Sequence, residues 1–188
     1  WPRFPTARAA ALALTRIYVA TSADGFIAAS DGSVDFLAGF DPNAYGYDKF
    51  SAQVGSIIMG RRTMEFTLAF GDWPYGDKST FVLCSTPPAD MPDNARFVRT
   101  GLKDALKAAR GASPKDVWIV GGAATMRSAL EAGEVDLIEL FVVPTLIGSG
   151  LPLLADLGAP VPLALETLET FQDGVVKLAY RPQSRRPA

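Results

Sequence analysis

Short β-rich apolar runs alternate with helix-forming stretches along most of this chain, and that alternation constrains the fold more than any other feature. Residues 16–22 (RIYVATS), 56–59 (SIIM), 79–84 (STFVLC), 96–99, 116–120 (DVWIV) and 137–143 read as strands. Between them, residues 42–53, 62–68 and 123–132 read as helices. Leu102, Ala105, Leu106 and Ala109 fall at i, i+3, i+4 and i+7, one face of a further helix. Thr100 is its expected N-cap, Gly111 its expected stop, and Gly133 stops the helix at 123–132. Strand–helix alternation argues for an α/β fold of three layers, a mainly parallel central sheet with helices on both faces. Asp173-Gly174, between residues 163–172 and 175–180, signals a closing antiparallel hairpin. Asp24-Gly25 and Asp31-Gly32 mark turns around the short apolar piece 26–28.

The 188 residues correspond to one domain at about 150 residues per domain. The expected division is a flexible N-terminal tail at 1–15, a single domain at 16–182, and a C-terminal tail at 183–188. The start of the chain, residues 1–16, carries Arg3, Arg8 and Arg16, and its apolar piece 9–14 is too short for a secretory core of about 7–15 residues.

Two counts narrow the chemistry. The chain has no histidine, which excludes Ser-His-Asp and Cys-His catalysis and every zinc site that needs imidazole. It has one cysteine, Cys84, so neither an intrachain disulfide nor a cysteine-held cluster forms, in keeping with a cytoplasmic protein. No acidic spacing resembles a calcium loop, and no metal is expected. Eighteen basic against twenty acidic residues leave a net charge of −2, without a basic field to gather nucleic acid or anionic lipid. No apolar run reaches the roughly 18 residues of a membrane span. What remains is chemistry by carboxylate, hydroxyl, Lys, Arg or a borrowed cofactor.

Open parallel sheets bind ligands at the C-terminal ends of their strands, so the residues that follow each strand carry the argument. Met59-Gly60-Arg61-Arg62-Thr63 turns a strand directly into a helix. Free N–H groups at the helix start favour an anion, and the arginines can pair with phosphate. The plain alternative is a strand cap with two solvated arginines. Val120-Gly121-Gly122-Ala123-Ala124-Thr125 repeats the arrangement, with close helix–sheet packing as its alternative. Cys84-Ser85-Thr86 ends another strand. Its hydroxyls can hold a phosphate or simply bond their own loop. Asp24 follows the first strand, where it can meet a ligand or only shape an Asp-Gly turn; Asp31, Asp35 and Asp48 are further carboxylates. Phe66, Phe70, Trp73 and Tyr75 can wall a flat-ring pocket or pack the core. No P-loop pattern occurs, which argues against a phosphotransferase.

Taken together and in this order, SADGFIA (22–28), DGSVDFL (31–37), IIMGRRT (57–63), FVLCSTP (81–87), VWIVGGAATM (117–126) and VPTLIGSGLPLL (143–154) resemble the dihydrofolate reductase superfamily. The likeness is strongest to the reductase domain of the bifunctional riboflavin-biosynthesis deaminase–reductase. It covers about 16–182, and it implies NADPH as hydride donor and a dihydrofolate reductase-like fold. By position, Gly60, Arg61, Arg62 and Thr63 would meet the pyrophosphate and the adenosine 2′-phosphate, with Ser85 beside the latter. Gly121, Gly122 and Ala123, with Thr125 in the same motif, would cover the other side of the pyrophosphate. Ala20 and Ile27 would flank the nicotinamide. Asp24 would touch the substrate, and Asp48 is the carboxylate nearest the position that holds a pterin in folate reductases, out of register by a residue or two. Lys78 stands near the place of the folate-tail arginine, and Ala124 replaces a frequent cofactor arginine, with Arg127 one turn later. These departures argue against folate. The resemblance implies a riboflavin-type ribosylamino-pyrimidine or a pterin-like ring as substrate. Folate reduction and a non-catalytic NADPH-binding module are the alternatives. Relatives are often homodimers, and the apolar segment 151–154 is a candidate contact.

Overall fold

The structure, a computed structural model, describes residues 13–183. The two assigned tails lie almost wholly outside that range. Ten strands and four α-helices follow in order: β1 (Thr15–Ser22), β2 (Phe26–Ala28), α1 (Tyr47–Gln53), β3 (Val54–Gly60), α2 (Arg61–Ala69), β4 (Ser79–Leu83), β5 (Ala95–Val98), α3 (Leu102–Ala112), β6 (Asp116–Gly121), α4 (Ala123–Glu131), β7 (Leu137–Val143), β8 (Leu151–Pro152), β9 (Leu163–Thr170) and β10 (Val176–Pro182). Two short 3₁₀ turns, Asp35–Leu37 and Pro42–Tyr45, precede α1.

Successive strand residues point to opposite faces, and here both faces are apolar. Ile17 of β1, Ile58 of β3, Phe81 of β4 and Val117 and Ile119 of β6 meet Leu106 of α3 and Met126 of α4 on one side. Ile57 and Met59, Val82 and Trp118 meet Phe50 of α1 and Met64 of α2 on the other. The main sheet has the order β5-β4-β3-β6-β1-β7-β10-β9. Its first six strands are mutually parallel. β10 runs antiparallel to β7 and to β9, which is the expected hairpin around Gly174 (φ +88°). A dihydrofolate reductase-like, three-layer α/β fold with helices on both faces is therefore what the sequence builds. β2 and β8 form a separate two-stranded sheet.

Three local expectations differ. The helix expected over 42–53 is broken at Gly46, whose left-handed backbone (φ +84°) separates the 3₁₀ turn from α1. Gly111 does not stop α3; the helix runs through it to Ala112 and leaves through the extended Ser113. Thr100 does not cap α3 either, because Gly101 (φ +99°) occupies the cap and makes no side-chain bond.

On the α1–α2 face, charge is buried. The Arg16 guanidinium donates through Nε to Glu139 Oε2 at 3.1 Å, and its Nη2 reaches the same oxygen. Its Nη1 donates to Gln53 at 2.5 Å and to Asp116 at 2.9 Å. Lys177 Nζ lies 3.1 Å from Glu139 Oε1. The Arg16 guanidinium also sits 4.8 Å from the centre of the Phe50 ring. One carboxylate thus joins β1, β7 and β10.

Candidate active site

The C-terminal ends of β1, β3, β4, β6 and β7 lie along one edge of the sheet, because these strands are parallel. Both α2 and α4 begin there from a glycine: Gly60 and Gly122 are the N-caps, and neither makes a side-chain capping bond. Neither first turn contains an acid. Two sets of backbone N–H groups are thus left for an anion. The two turns interlock. A Cβ on Gly60 would come within 3.2 Å of Thr125 Oγ1, and one on Gly122 within 3.4 Å of Thr63 Oγ1. Each threonine therefore stands over the other turn's glycine. Gly121 adopts φ +142°, a region that side chains disfavour.

Arg61 and Arg62 are exposed at this edge, and Arg61 Nε donates to Glu65 at 2.6 Å. Ser85 and Thr86 are exposed in the loop after β4. Cys84 is half-buried, and burial pushes its thiol up, against the lowering effect of the Arg61 charge. Arg127 turns away from the turns, donating to the Ala155 carbonyl at 3.4 Å.

A second feature lies between β1 and β6. They pair only over Thr15–Ile17, opposite Val117–Ile119, whereas β1 continues beside β7 to Ser22 and β6 continues beside β3 to Gly121. The sheet splits beyond Ile17. Val117 N donates to Leu14 O, and Asp136 N donates to Thr15 O on the other side, which sets the alternation of peptide groups along β1. By that alternation the peptide groups of Tyr18 and Ala20 face the split. The Trp118 indole donates to the Tyr18 carbonyl at 3.3 Å, which leaves the Ala20 groups beyond it. Ile27, on β2, follows the loop at the end of β1 and is half-buried.

Asp24 is at the same end of β1. Its Oδ1 accepts from the Ser22 hydroxyl at 2.6 Å, and its Oδ2 from Gly148 N at 2.7 Å, with Ile147 N at 3.2 Å. These donors hold the carboxyl below the usual range, the Ser22 hydroxyl foremost. Asp48 lies in the first turn of α1 and is exposed. Beside it, α1 buries Phe50 and half-buries Tyr47, whose ring meets Tyr18 at 6.2 Å and Trp118 at 6.1 Å between centroids.

Of the four aromatics before β4, Tyr75 is buried and Trp73 packs against it, while Phe66 of α2 and Phe70 at its end form an exposed pair. Sequence reasoning missed Tyr18, Tyr47, Trp118 and the 145–150 loop. The period-2 alternation of Ile17-Tyr18-Val19 and Val117-Trp118-Ile119 was the available signal for two of them. An open depression of about 440 Å³, lined by Ser79, Phe81, Arg96 and residues of α3, sits at the opposite edge of the sheet.

Tyr45, ending its 3₁₀ turn, crosses to the hairpin. Its hydroxyl donates to Asp173 Oδ2, and its ring packs on Phe171 and Phe141. Burial, and then the Asp173 carboxylate, push this phenol up to about 12. A raised phenol contributes stability that is complete below its unfolded value of about 10 and is lost as pH rises through about 12. In Asp173→Asn, the ionisation midpoint of Tyr45, followed by NMR, should fall toward the ordinary value without reaching it, because burial remains. An unmoved midpoint would contradict the contact.

Comparison with known proteins agrees with this architecture. The sequence model of the RibD C-terminal domain matches residues 15–177. The Bacillus subtilis (strain 168) uncharacterized protein YwjB is 30% identical over 163 residues, covering 86% of this chain and 94% of its own. YyaP of the same organism is 26% identical over 173 residues, covering 86% and 91%. A putative riboflavin biosynthesis protein from Shewanella sp. PV-4 superposes with a TM-score of 0.80 at 27% identity, over 91% of this chain and 99% of that one. The Thermotoga maritima diaminohydroxyphosphoribosylaminopyrimidine deaminase/5-amino-6-(5-phosphoribosylamino)uracil reductase shares the fold, with a TM-score of 0.68 at 15% identity over 92% of this chain and 57% of that one. The fold defines a domain of the dihydrofolate reductase-like class. Within that class, the chain belongs to the RibD C-terminal domain family.

Proposed function

We propose that this protein is an NADPH-dependent reductase of a small heterocycle, in the first instance a 5-amino-6-(5-phosphoribosylamino)uracil-type pyrimidine. The observation that carries the reading is the pair of uncapped, acid-free helix starts interlocked beside a split in the sheet. A dinucleotide needs anion contacts for its pyrophosphate and a slot for its ring, and this edge has both. The amides at the starts of α2 and α4 would hold the pyrophosphate between Gly60 and Gly121–Gly122–Ala123, with Thr63 and Thr125 fixing the turns. Arg61, Arg62 and Ser85 would read the 2′-phosphate, since guanidinium groups bind phosphate by charge-assisted bonds. The Ala20 peptide group would orient the nicotinamide, and Ile27 would exclude water from its face. When bound, the cofactor supplies the hydride, so the protein needs no histidine.

Asp24 and Asp48 are the carboxylates assigned to the substrate side. Asp48, exposed on α1, is not a buried ring-reading group, which favours a pyrimidine over a pterin or folate. The Thermotoga protein, of which 57% shares this fold, bears the name of a deaminase and pyrimidine reductase, which supports the same choice. We assign the protein to the cytoplasm and as a homodimer. Among the described residues no helix is long and apolar enough to cross a membrane. Leu163, Leu165 and Leu168 are exposed on the edge strand β9, and of the expected contact segment Leu151 is exposed while Leu153 and Leu154 pack on the core.

Arg61→Ala tests the cofactor assignment. Loss of one exposed charge-assisted contact should weaken NADPH about tenfold and leave NADH near the parent value. Equal weakening of both would remove Arg61 from the 2′-phosphate. Oxidation of bound NADPH by the pyrimidine separates a reductase from a binding module.

A further inference from the structure

β2, which carries Ile27, is weakly held by its own ladder. It is three residues long, and it pairs only with β8, opposite Leu151 and Pro152, with an irregular register. Proline brings no N–H to such a ladder, and a short two-stranded piece is marginal by itself. Its position therefore depends on other bonds. Ala23 N donates to Thr145 O at 2.8 Å, and Leu153 N donates to Gly25 O at 3.0 Å. Gly150 lies so close to β2 that a Cβ there would come within 2.2 Å of Ala28 O. At the centre is Asp24. Ser22, buried at the end of β1, donates to it and accepts from Phe26 N at 3.0 Å, and the 147–148 amides donate to it from the other loop.

We propose that Asp24 is a positioning residue: it pins the loop after β1 and the loop after β7 into one rigid element that fixes β2, and with it Ile27, at the C-terminal end of β1. Its carboxylate acts through four partners, the Ser22 hydroxyl, the amides of Ile147 and Gly148 and, through Ser22, Phe26. It does not act by proton transfer. The consequence for turnover rests on the reductase reading; the coupling of the two loops does not.

Amide hydrogen exchange in the parent protein, Asp24→Ala, Asp24→Asn and Gly150→Ala tests this, with the protection of Ile57 and Ile58 in β3 as the control for folding. Asp24→Ala should speed exchange about tenfold or more at Ile147 and Gly148, and equally at Leu153, which Asp24 does not touch. Asp24→Asn retains an acceptor oxygen and should fall between. Gly150→Ala leaves Asp24 intact and should reproduce the Leu153 effect. With NADPH and 5-amino-6-(5-phosphoribosylamino)uracil, kcat should fall about tenfold in Gly150→Ala, which leaves the Asp24 carboxylate in place, with NADPH affinity within about twofold. An unchanged Leu153 in Asp24→Ala overturns the proposal. So does a fully active Gly150→Ala beside an inactive Asp24→Ala, because that pattern means direct action of the carboxylate on the substrate. If no variant, and not the parent protein, binds NADPH, the reductase reading fails while the exchange at Leu153 still decides the coupling.

Discussion

Glu139→Ala is expected to lower stability by about 3–5 kcal/mol and the melting temperature by roughly 10 °C. Glu139 is 5% exposed, and Arg16, which it pairs, is 6% exposed. Removing the carboxylate leaves one guanidinium without its principal acceptor and Lys177 without its nearer partner. The full desolvation cost of a buried charge then falls on the folded state. Asp116 and Gln53 still accept from Arg16, which keeps the loss from exceeding this range. Glu65→Ala is the contrasting case. It breaks the exposed Arg61–Glu65 pair and should leave stability nearly unchanged. Denaturant unfolding of both variants checks the contrast. A Glu139→Ala loss below about 1 kcal/mol would mean that Arg16 repairs itself with Asp116 alone.

Gly121→Val should reduce NADPH affinity about a hundredfold, an effect of about 2.7 kcal/mol. Gly121 holds φ +142°, and a Cβ there would lie 3.1 Å from Met126 Cε and 3.7 Å from Thr63 Oγ1. A branched side chain has to move one of them or change the backbone. Either response shifts the start of α4 against the start of α2, and the two sets of amides no longer converge. Gly71→Ala separates this from strain alone. Gly71 also has positive φ (+124°), but a Cβ there meets nothing within 4 Å. It should cost about 1–3 kcal/mol of stability with NADPH affinity unchanged. Isothermal titration of both variants gives the comparison, and an unaltered NADPH affinity in Gly121→Val would place the pyrophosphate elsewhere.

The features legible in the sequence are those encoded locally. Gly60 and Gly121–Gly122 follow apolar runs and precede helix-forming residues, so both strand-to-helix turns can be read from a few adjacent letters. The Asp173-Gly174 hairpin is legible for the same reason. Gly46 and Gly111 show the limit. Composition does not reveal which glycine takes the left-handed conformation. Tertiary contacts decide it, and here Gly46 breaks its segment while Gly111 stays helical. The buried network of Arg16 and Glu139 joins residues 123 apart in sequence, as does the bond between Asp24 and Ile147. No local pattern predicts such pairings; they follow from the parallel register of β1 and β7, which brings Tyr18 beside Glu139 and Ser22 beside Val143. β8 escaped notice because two residues, one a proline, carry no periodicity.

The reductase reading stands or falls on the cofactor, and the direct measurement is thermal unfolding with NADPH, with NADH as the control. At about 100 times its dissociation constant, a ligand of the folded state adds roughly 2.7 kcal/mol, which raises the melting temperature of a domain this size by several degrees. A shift of that size with NADPH and a much smaller one with NADH is the predicted result. No shift with either nucleotide would contradict the reading and leave the interlocked turns around Gly60 and Gly121 as packing alone.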